Sequence, residues 1–561
     1  MRRPPLALFA AGCAFVLPLL FLTSMPVPSW SGRHAALALE AAVGLPVLVL
    51  LLVRSDVRGP AIAAVAFAGW VLVSAAASAE HTTAFWGLFG LGTGMLFVLA
   101  LVGSWAVGLA SGPSGPRMVE RALVAAAAVN AAVAVAQTVT DLSRYHLELV
   151  DGRAAGLLGN PVFLGGFAAG AFWIAVSRFR QRPTAWAAFA VLVATAVQVS
   201  GSRFALGIAV VALVPANALV GWRLVVVLAL CLGVGVGIGA GLTHYGRGTS
   251  VTARSDVQVA SGVRPRLETW LSARHAVAER PVLGSGPGRF RAATSRFRTL
   301  RLVRAEGADR LFVDAHDMVV EYAVTTGLPG LALLLGWLAL AVCRAGWRSP
   351  LAGFALIALA MHLVEPQNVA LTPVAFLALG AAAPAVGRPS VRALVPVHAL
   401  LATAALGTAA LLLVGSFHLD QARLDLGLGE ARQARRLLPA WPEPRRVTAA
   451  ASVFASRTER RPELLVAARR WRRTAAARDP TDPALWIELA RAELDAGLVA
   501  QAGHDFGRAL HFDPWSAQAL TGLGRVAQAE GRRSDAVRFF RRSLRAEPHQ
   551  PAVRRLLAAG G

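Results

Sequence analysis

Residues 223–242 read RLVVVLALCLGVGVGIGAGL, twenty positions with one charge, at the first. As a helix this run is long enough to cross about 30 Å of hydrocarbon, and it recurs throughout most of the chain. Of 561 residues 55% are hydrophobic and 16% charged, with a mean hydropathy of +0.54. Comparable runs lie near 6–24, 34–53, 60–78, 84–107, 119–138, 161–178, 184–200, 203–220, 317–343, 350–365, 369–386 and 394–415. Their alanine, glycine and valine suit helices that pack closely in lipid. The expected fold is all-α: a polytopic domain of about twelve or thirteen transmembrane helices over 1–415, followed by a different kind of domain.

Arginines mark one side of that domain. Arg2 and Arg3, Arg54 and Arg58, Arg117 and Arg121, Arg178 to Arg182, Arg223, Arg344 and Arg348, and Arg388 and Arg392 all fall on the same side of the expected spans. By the positive-inside rule that side is cytoplasmic. The other side then receives 139–160, the turn at 200–203, a long loop at 243–316, and everything after 415. The first span resembles a secretory signal but is expected to stay uncleaved. Cys13, Cys231 and Cys343 all fall in expected spans and build no disulfide or metal framework. The net charge of +24 would point to nucleic acid in a soluble protein. Here it is spread over loops and the C-terminal region, with arginine in every basic position, and no nucleic-acid partner is expected.

From about 417 the chain turns polar with helical periodicity. Pro480, Pro514 and Pro548 stand 34 residues apart. Counting from Pro483, Trp486, Leu489, Ala490, Gly497, Ala502, Phe506 and Ala509 occupy tetratricopeptide positions, and Leu520, Leu523, Gly524, Ala527, Gly531, Ala536 and Phe540 repeat them. Weaker copies precede. Residues 417–561 are therefore expected to be an α-solenoid, whose concave face grips a protein partner.

Four pieces on the outer side carry potential chemistry. They are Arg153-Ala-Ala-Gly-Leu-Leu-Gly-Asn160-Pro161, Ser200-Gly-Ser-Arg203, Arg264-Pro-Arg266-Leu-Glu-Thr-Trp270 with Pro281-Val-Leu-Gly284-Ser-Gly286-Pro-Gly288-Arg-Phe290, and Asp314-Ala-His316-Asp317. Singly, each has a structural explanation. Asn160-Pro161 suits a helix start, Arg203 can anchor a span at the headgroups, and the glycine-rich loop lacks the lysine and strand of a nucleotide cradle.

Their order resembles the O-antigen ligase family over about residues 80–380, and many members of that family end in tetratricopeptide repeats. Two departures stand out: Asp317 occupies a position where the family has asparagine or serine, and this chain has one more span before its repeats. The resemblance implies transfer of a glycan from a polyprenyl-diphosphate carrier to a lipid or protein acceptor, at the outer face of the bacterial cytoplasmic membrane, without cofactor or metal. A leaving diphosphate needs fixed cations, for which Arg203 and Arg266 are the candidates, with Arg264 and Arg153 behind them. The acceptor hydroxyl needs a base of near-neutral pKa. His316 is that candidate, with Asp314 or Asp317 orienting its ring. The break at Gly327-Leu-Pro329-Gly330 either ends an interfacial helix or kinks a single long span, and both place His316 at the outer edge.

A polysaccharide polymerase or protein O-oligosaccharyltransferase would share these residues and differ in acceptor. A transporter would need ionisable residues at mid-membrane, where only Glu40, His362 and Glu365 come near. A non-enzymatic scaffold presenting the repeats is the third class.

Overall fold

The structure, a computed structural model, describes residues 5–23, 30–246, 256–385 and 395–558. Among these residues it contains helices and no strand, only one isolated bridge between Val150 and Arg153. The apolar part begins with α1 (Pro5–Leu19), α2 (Ser31–Leu52), α3 (Arg58–Ala76), a short α4 (His81–Trp86), α5 (Met95–Ala110) and α6 (Gly115–Val139). It continues with α7 (Pro161–Arg178), α8 (Pro183–Val199), α9 (Arg203–Val211), α10 (Leu213–Val220) and α11 (Trp222–Tyr245). Next come α12 (Asp256–Glu279), α13 (Phe290–Thr294) and α14 (Leu300–Glu306), and then the apolar α15 (Met318–Ala345), α16 (Pro350–Met361), α17 (Leu371–Ala382) and α18 (Val395–Asp425). Among the described residues, eight helical stretches are long and apolar enough to cross a membrane, and five further apolar helices are shorter.

One expected span is broken and a second is interrupted without leaving helical dihedrals. The run at 84–107 divides into α4 and α5, because Gly87, Gly90 and Gly92 take positive φ between them. The run at 203–220 is α9 and α10 joined through Ala212, whose dihedrals stay helical, so it still serves as one stretch long enough to cross. Backbone contact at glycine holds the bundle together. A Cβ on Gly44 would lie 2.2 Å from Gly103 Cα, so α2 and α5 meet main chain to main chain. Glu40 is buried at that interface, where Ser104 Oγ donates to it at 2.7 Å.

Two of the arginine-bearing helix ends meet neighbouring helix starts, while Arg2, Arg3, Arg388 and Arg392 lie outside the described residues. Arg344, at the end of α15, donates to Asp56 O before α3, and Arg178 at the end of α7 chelates Glu120 near the start of α6. The four motif pieces lie at the opposite helix ends.

Beyond the bundle, α19 (Leu428–Leu437), α20 (Glu443–Thr458), α21 (Glu463–Arg478), α22 (Pro483–Asp495), α23 (Val499–Phe512), α24 (Ala517–Ala529), α25 (Arg533–Ala546) and α26 (Pro551–Ala558) form the solenoid. The repeat positions do what their residue types predict. Phe506 packs where a Cβ on Gly522 would clash, and Phe540 does the same to Gly524. Asp482 and Ser516 cap α22 and α24. The last apolar helix runs unbroken to Asp425, past the change of composition at about 417.

The solenoid docks on the segment between α12 and α15. Arg291 on α13 reaches Asp479 at 2.9 Å and Asp482 at 3.1 Å. Arg298 pairs with Asp513 at 3.2 Å, Ser295 Oγ donates to Phe512 O, and Ser516 Oγ donates to Asp309.

Candidate active site

Helix α15 is two helical pieces joined at Gly327, whose φ of 73° and ψ of 175° leave the helical region. The break frees main-chain groups that must be satisfied elsewhere. The glycine-rich segment 281–288 does this. Ser285 N–H donates to Val324 O, Gly286 N–H to Thr325 O, and Leu328 N–H to Pro281 O. From α3, Trp70 Nε1 donates to Thr326 O and Ser74 Oγ to Thr325 O and Leu283 O. The glycines therefore serve close main-chain packing. A Cβ on Gly327 would stand 2.0 Å from Val282 O. Gly327→Ala is expected to cost about 1–3 kcal/mol from positive-φ strain alone, read as a lowered melting temperature in detergent; an unchanged one would contradict the strap.

His316 stands just before α15, with φ 51°, a left-handed conformation that non-glycine residues seldom adopt. Asp314 causes it: Oδ1 accepts from the His316 N–H at 2.9 Å and lies 2.6 Å from Nδ1 of the ring. Asp317 instead caps α15 by accepting from Val320 N–H. Of the two aspartates, Asp314 meets the ring and Asp317 starts the helix. Phe312 packs edge-on to the ring at 5.7 Å. Glu321, a turn into α15, accepts from Ala315 N–H. A narrow cleft opens here, walled by Asp314, His316, Glu321, Tyr322, Gln367, Pro287 and Gly288.

The Arg-x-x-x-Trp motif lies on α12, and residues four apart share a helix face. Trp270 Nε1 donates to Ala315 O at 2.9 Å, and Arg266 Nη2 donates to Glu365 at 2.8 Å. Glu365 belongs to the turn after α16, where Met318 N–H donates to His362 O and His362 is buried against Pro366 O and Thr372. Burial pulls the His316 pKa down, but Asp314, with help from Glu365, outweighs it, and the net effect is a rise above 6.5. Burial also raises the Asp317 carboxyl. Arg264 is exposed.

Arg153 and Arg203 form a second corner at the same bundle end. Ala154 N–H donates to Val199 O, which brings the Arg153 loop against the end of α8 and the Ser200–Arg203 turn. Arg153 lies 3.7 Å from Asp151. Ser202 caps α9 through Ala205 N–H, and Asn160 caps α7 through Val162 N–H. The first turns of α7 separate the two corners: Gly165 packs on Ser200 and Ser202, and Gly166 on Met361.

Sequence reading missed three supports. Arg33, 1% exposed, donates to Leu17 O, Pro18 O, Leu157 O and Leu158 O, with Asn130 and Gln137 accepting from Leu157, Ala155 and Gly156 N–H. These three hold the Arg153–Pro161 loop. Glu365, weighed only as an ionisable residue near mid-membrane or at a span end, is the partner of Arg266. The one available signal for Arg33 was an arginine at the start of an apolar run. Among the described residues no group of three or more His, Cys, Asp or Glu is arranged to hold a metal ion.

Residues 188–335 match the family model described as O-Antigen ligase, and residues 493–560 match that described as Tetratricopeptide repeat. Part of the chain is thus similar to O-antigen ligases, and its C-terminal part to tetratricopeptide repeats. The ligase segment contains Arg203, Arg264, Arg266, Asp314, His316 and Asp317, while Arg153 and Glu365 lie outside it. No curated protein matches the chain. Among solved structures, a thermophilic tetratricopeptide-repeat protein of Thermus thermophilus is 18% identical, covering 30% of this chain and 96% of its own, at a TM-score of 0.23. The Cut9-Hcn1 hetero-tetramer of APC/C is 12% identical, covering 91% of this chain and 85% of its own, at 0.24. The O-antigen ligase match, set among apolar helices long enough to cross a membrane, supports a multi-pass membrane protein of the glycan ligase type.

Proposed function

We propose that the protein transfers a glycan from a polyprenyl-diphosphate carrier to an acceptor hydroxyl, with His316 as general base. The observation that carries this reading is the His316–Asp314 couple on the wall of the cleft, with Arg266 beside it. Asp314 occupies Nδ1 and leaves Nε2 to take the acceptor proton. The acceptor oxygen then bonds to the sugar C1 as the C1–O bond to the diphosphate breaks, and the departing diphosphate carries away the bonding pair. Arg266 stabilises that charge by exchanging Glu365 for phosphate oxygens, and Arg203 and Arg153 engage the carrier from the second corner. Arg264, exposed on α12, is a further contact for the diphosphate. The site faces the outer side of the cytoplasmic membrane, opposite the arginine-rich helix ends, and the repeats share that side.

The test is turnover of a polyprenyl-diphosphate-linked glycan by purified protein in liposomes, scoring release of the carrier diphosphate and the size of the glycan product. Folded Arg266→Ala protein that turns over donor like the wild type would remove Arg266 from the reaction. The pH profile gives a second check. A base acts when neutral, so the rate rises as pH passes upward through the His316 pKa, which lies above 6.5. Asp314→Asn removes the chief raising influence and leaves burial, so the acidic limb should move to lower pH. A limb that stays in place would separate it from His316.

A further inference from the structure

A second cavity, of about 500 Å³, lies where α18 meets the solenoid. Leu411 and Leu412 of α18 and Trp86 of α4 form one wall, while Arg436 of α19 and Arg478 of α21 form the other. No carboxylate lines it, and neither arginine makes an ion pair among the described residues. The surrounding charge is one-sided. Arg435 lies beside Arg432, Arg436 and Arg470, and Arg445 beside Arg435 and Arg478. Burial and these like charges hold the Arg435 pKa down and bring Arg445 to about 10.

The apolar wall continues along exposed surface of α18: Leu411 is 52% exposed, and Leu400, about three turns earlier on the same helix face, 72%. With 394–415 read as a span, the cavity sits where that apolar surface gives way to guanidinium groups without ion pairs among the described residues, an arrangement complementary to an anionic amphiphile. Trp86 and Trp441 suit the interface. Trp441 Nε1 is tied to Gly87 O at 3.0 Å, so the cavity floor is fixed to the loop after α4. The opposite side of α4 faces the glycine-rich strap, Thr83 O lying 3.3 Å from where a Cβ on Gly288 would stand.

We propose that this cavity binds an anionic phospholipid of the surrounding bilayer, Arg436 and Arg478 holding its phosphate and Leu411, Leu412 and Trp86 its acyl chains. The bound lipid seals the repeats to the membrane and does not depend on which glycan is transferred.

The test is native mass spectrometry of the full chain in detergent, titrated with phosphatidylglycerol or phosphatidylcholine. Wild type should retain phosphatidylglycerol about tenfold better than phosphatidylcholine, and Arg436→Ala with Arg478→Ala should abolish that preference. Arg436→Lys with Arg478→Lys should keep most of it, as should Arg541→Ala with Arg542→Ala on α25. Equal retention of both lipids, or alanine variants that behave like wild type, would overturn the site. Displacement by millimolar inorganic phosphate would reduce it to a phosphate site. Polyprenyl phosphate binding tenfold better than phosphatidylglycerol would reassign it to the carrier.

Discussion

Glycan transfer by the His316→Ala protein is expected to fall by about 10²–10⁴-fold, the range lost with a general base, while the chain stays folded. Two features separate chemistry from folding here. The ring contributes little to the core, since the cleft leaves the side chain 27% exposed. The neighbouring backbone is held by others: Trp270 holds Ala315 O, Asp317 caps α15, and Glu321 accepts from Ala315 N–H. Alanine must still adopt the positive φ at 316 without the imidazole beside Asp314, at about 1–3 kcal/mol. A parallel His316→Asn variant, which tolerates that conformation better, should be as inactive and better folded. Carrier release within twofold of wild type in both variants would end the base assignment.

Arg291→Ala is expected to weaken the docked solenoid by about 3–5 kcal/mol, the cost of removing one member of a buried ionic cluster. Arg291 is the guanidinium between Asp479 and Asp482, whose side chains are 6% and 12% exposed. Without it two carboxylates face one another in a desolvated contact, and one must take up a proton or the contact must open. Asp482 also caps α22, so the strain reaches the repeat. The readout is limited proteolysis in detergent, where new cleavage between α18 and α22 should appear below the temperature at which the apolar bundle melts. Arg291 lies three residues beyond Gly288 in the cleft wall, so carrier release should fall as well. Unchanged cleavage and melting would show that Arg298–Asp513 and the serine contacts suffice to hold the interface.

The two corners of the site differ in how far the sequence exposes them. The histidine, the arginines and the glycine-rich loop stand out as residue types in order, yet which aspartate serves His316 was undecidable, because Asp314 and Asp317 flank it almost symmetrically in the chain. Capping geometry decides it: the residue before the first turn of α15 is committed to the helix N–H groups, leaving Asp314 for the ring. Arg266 looked like a free cation for phosphate; its carboxylate partner lies 99 residues away.

Some properties of this protein are local and were therefore determined by sequence alone. A helix in lipid satisfies its own backbone, so twenty apolar residues announce a span without reference to their neighbours, and a 34-residue period announces a repeat because each unit packs the same residues on the next. What only the tertiary structure decided is non-local. The strap of 281–288 satisfies a helix break at 327, and Arg33 holds a loop some 125 residues away. Likewise Glu365 takes Arg266, and the solenoid leans on α13. Each of these joins polar groups whose partners are chosen by burial in the folded chain, where an unpaired charge or amide is costly, and burial of that kind leaves no periodicity in the sequence to read.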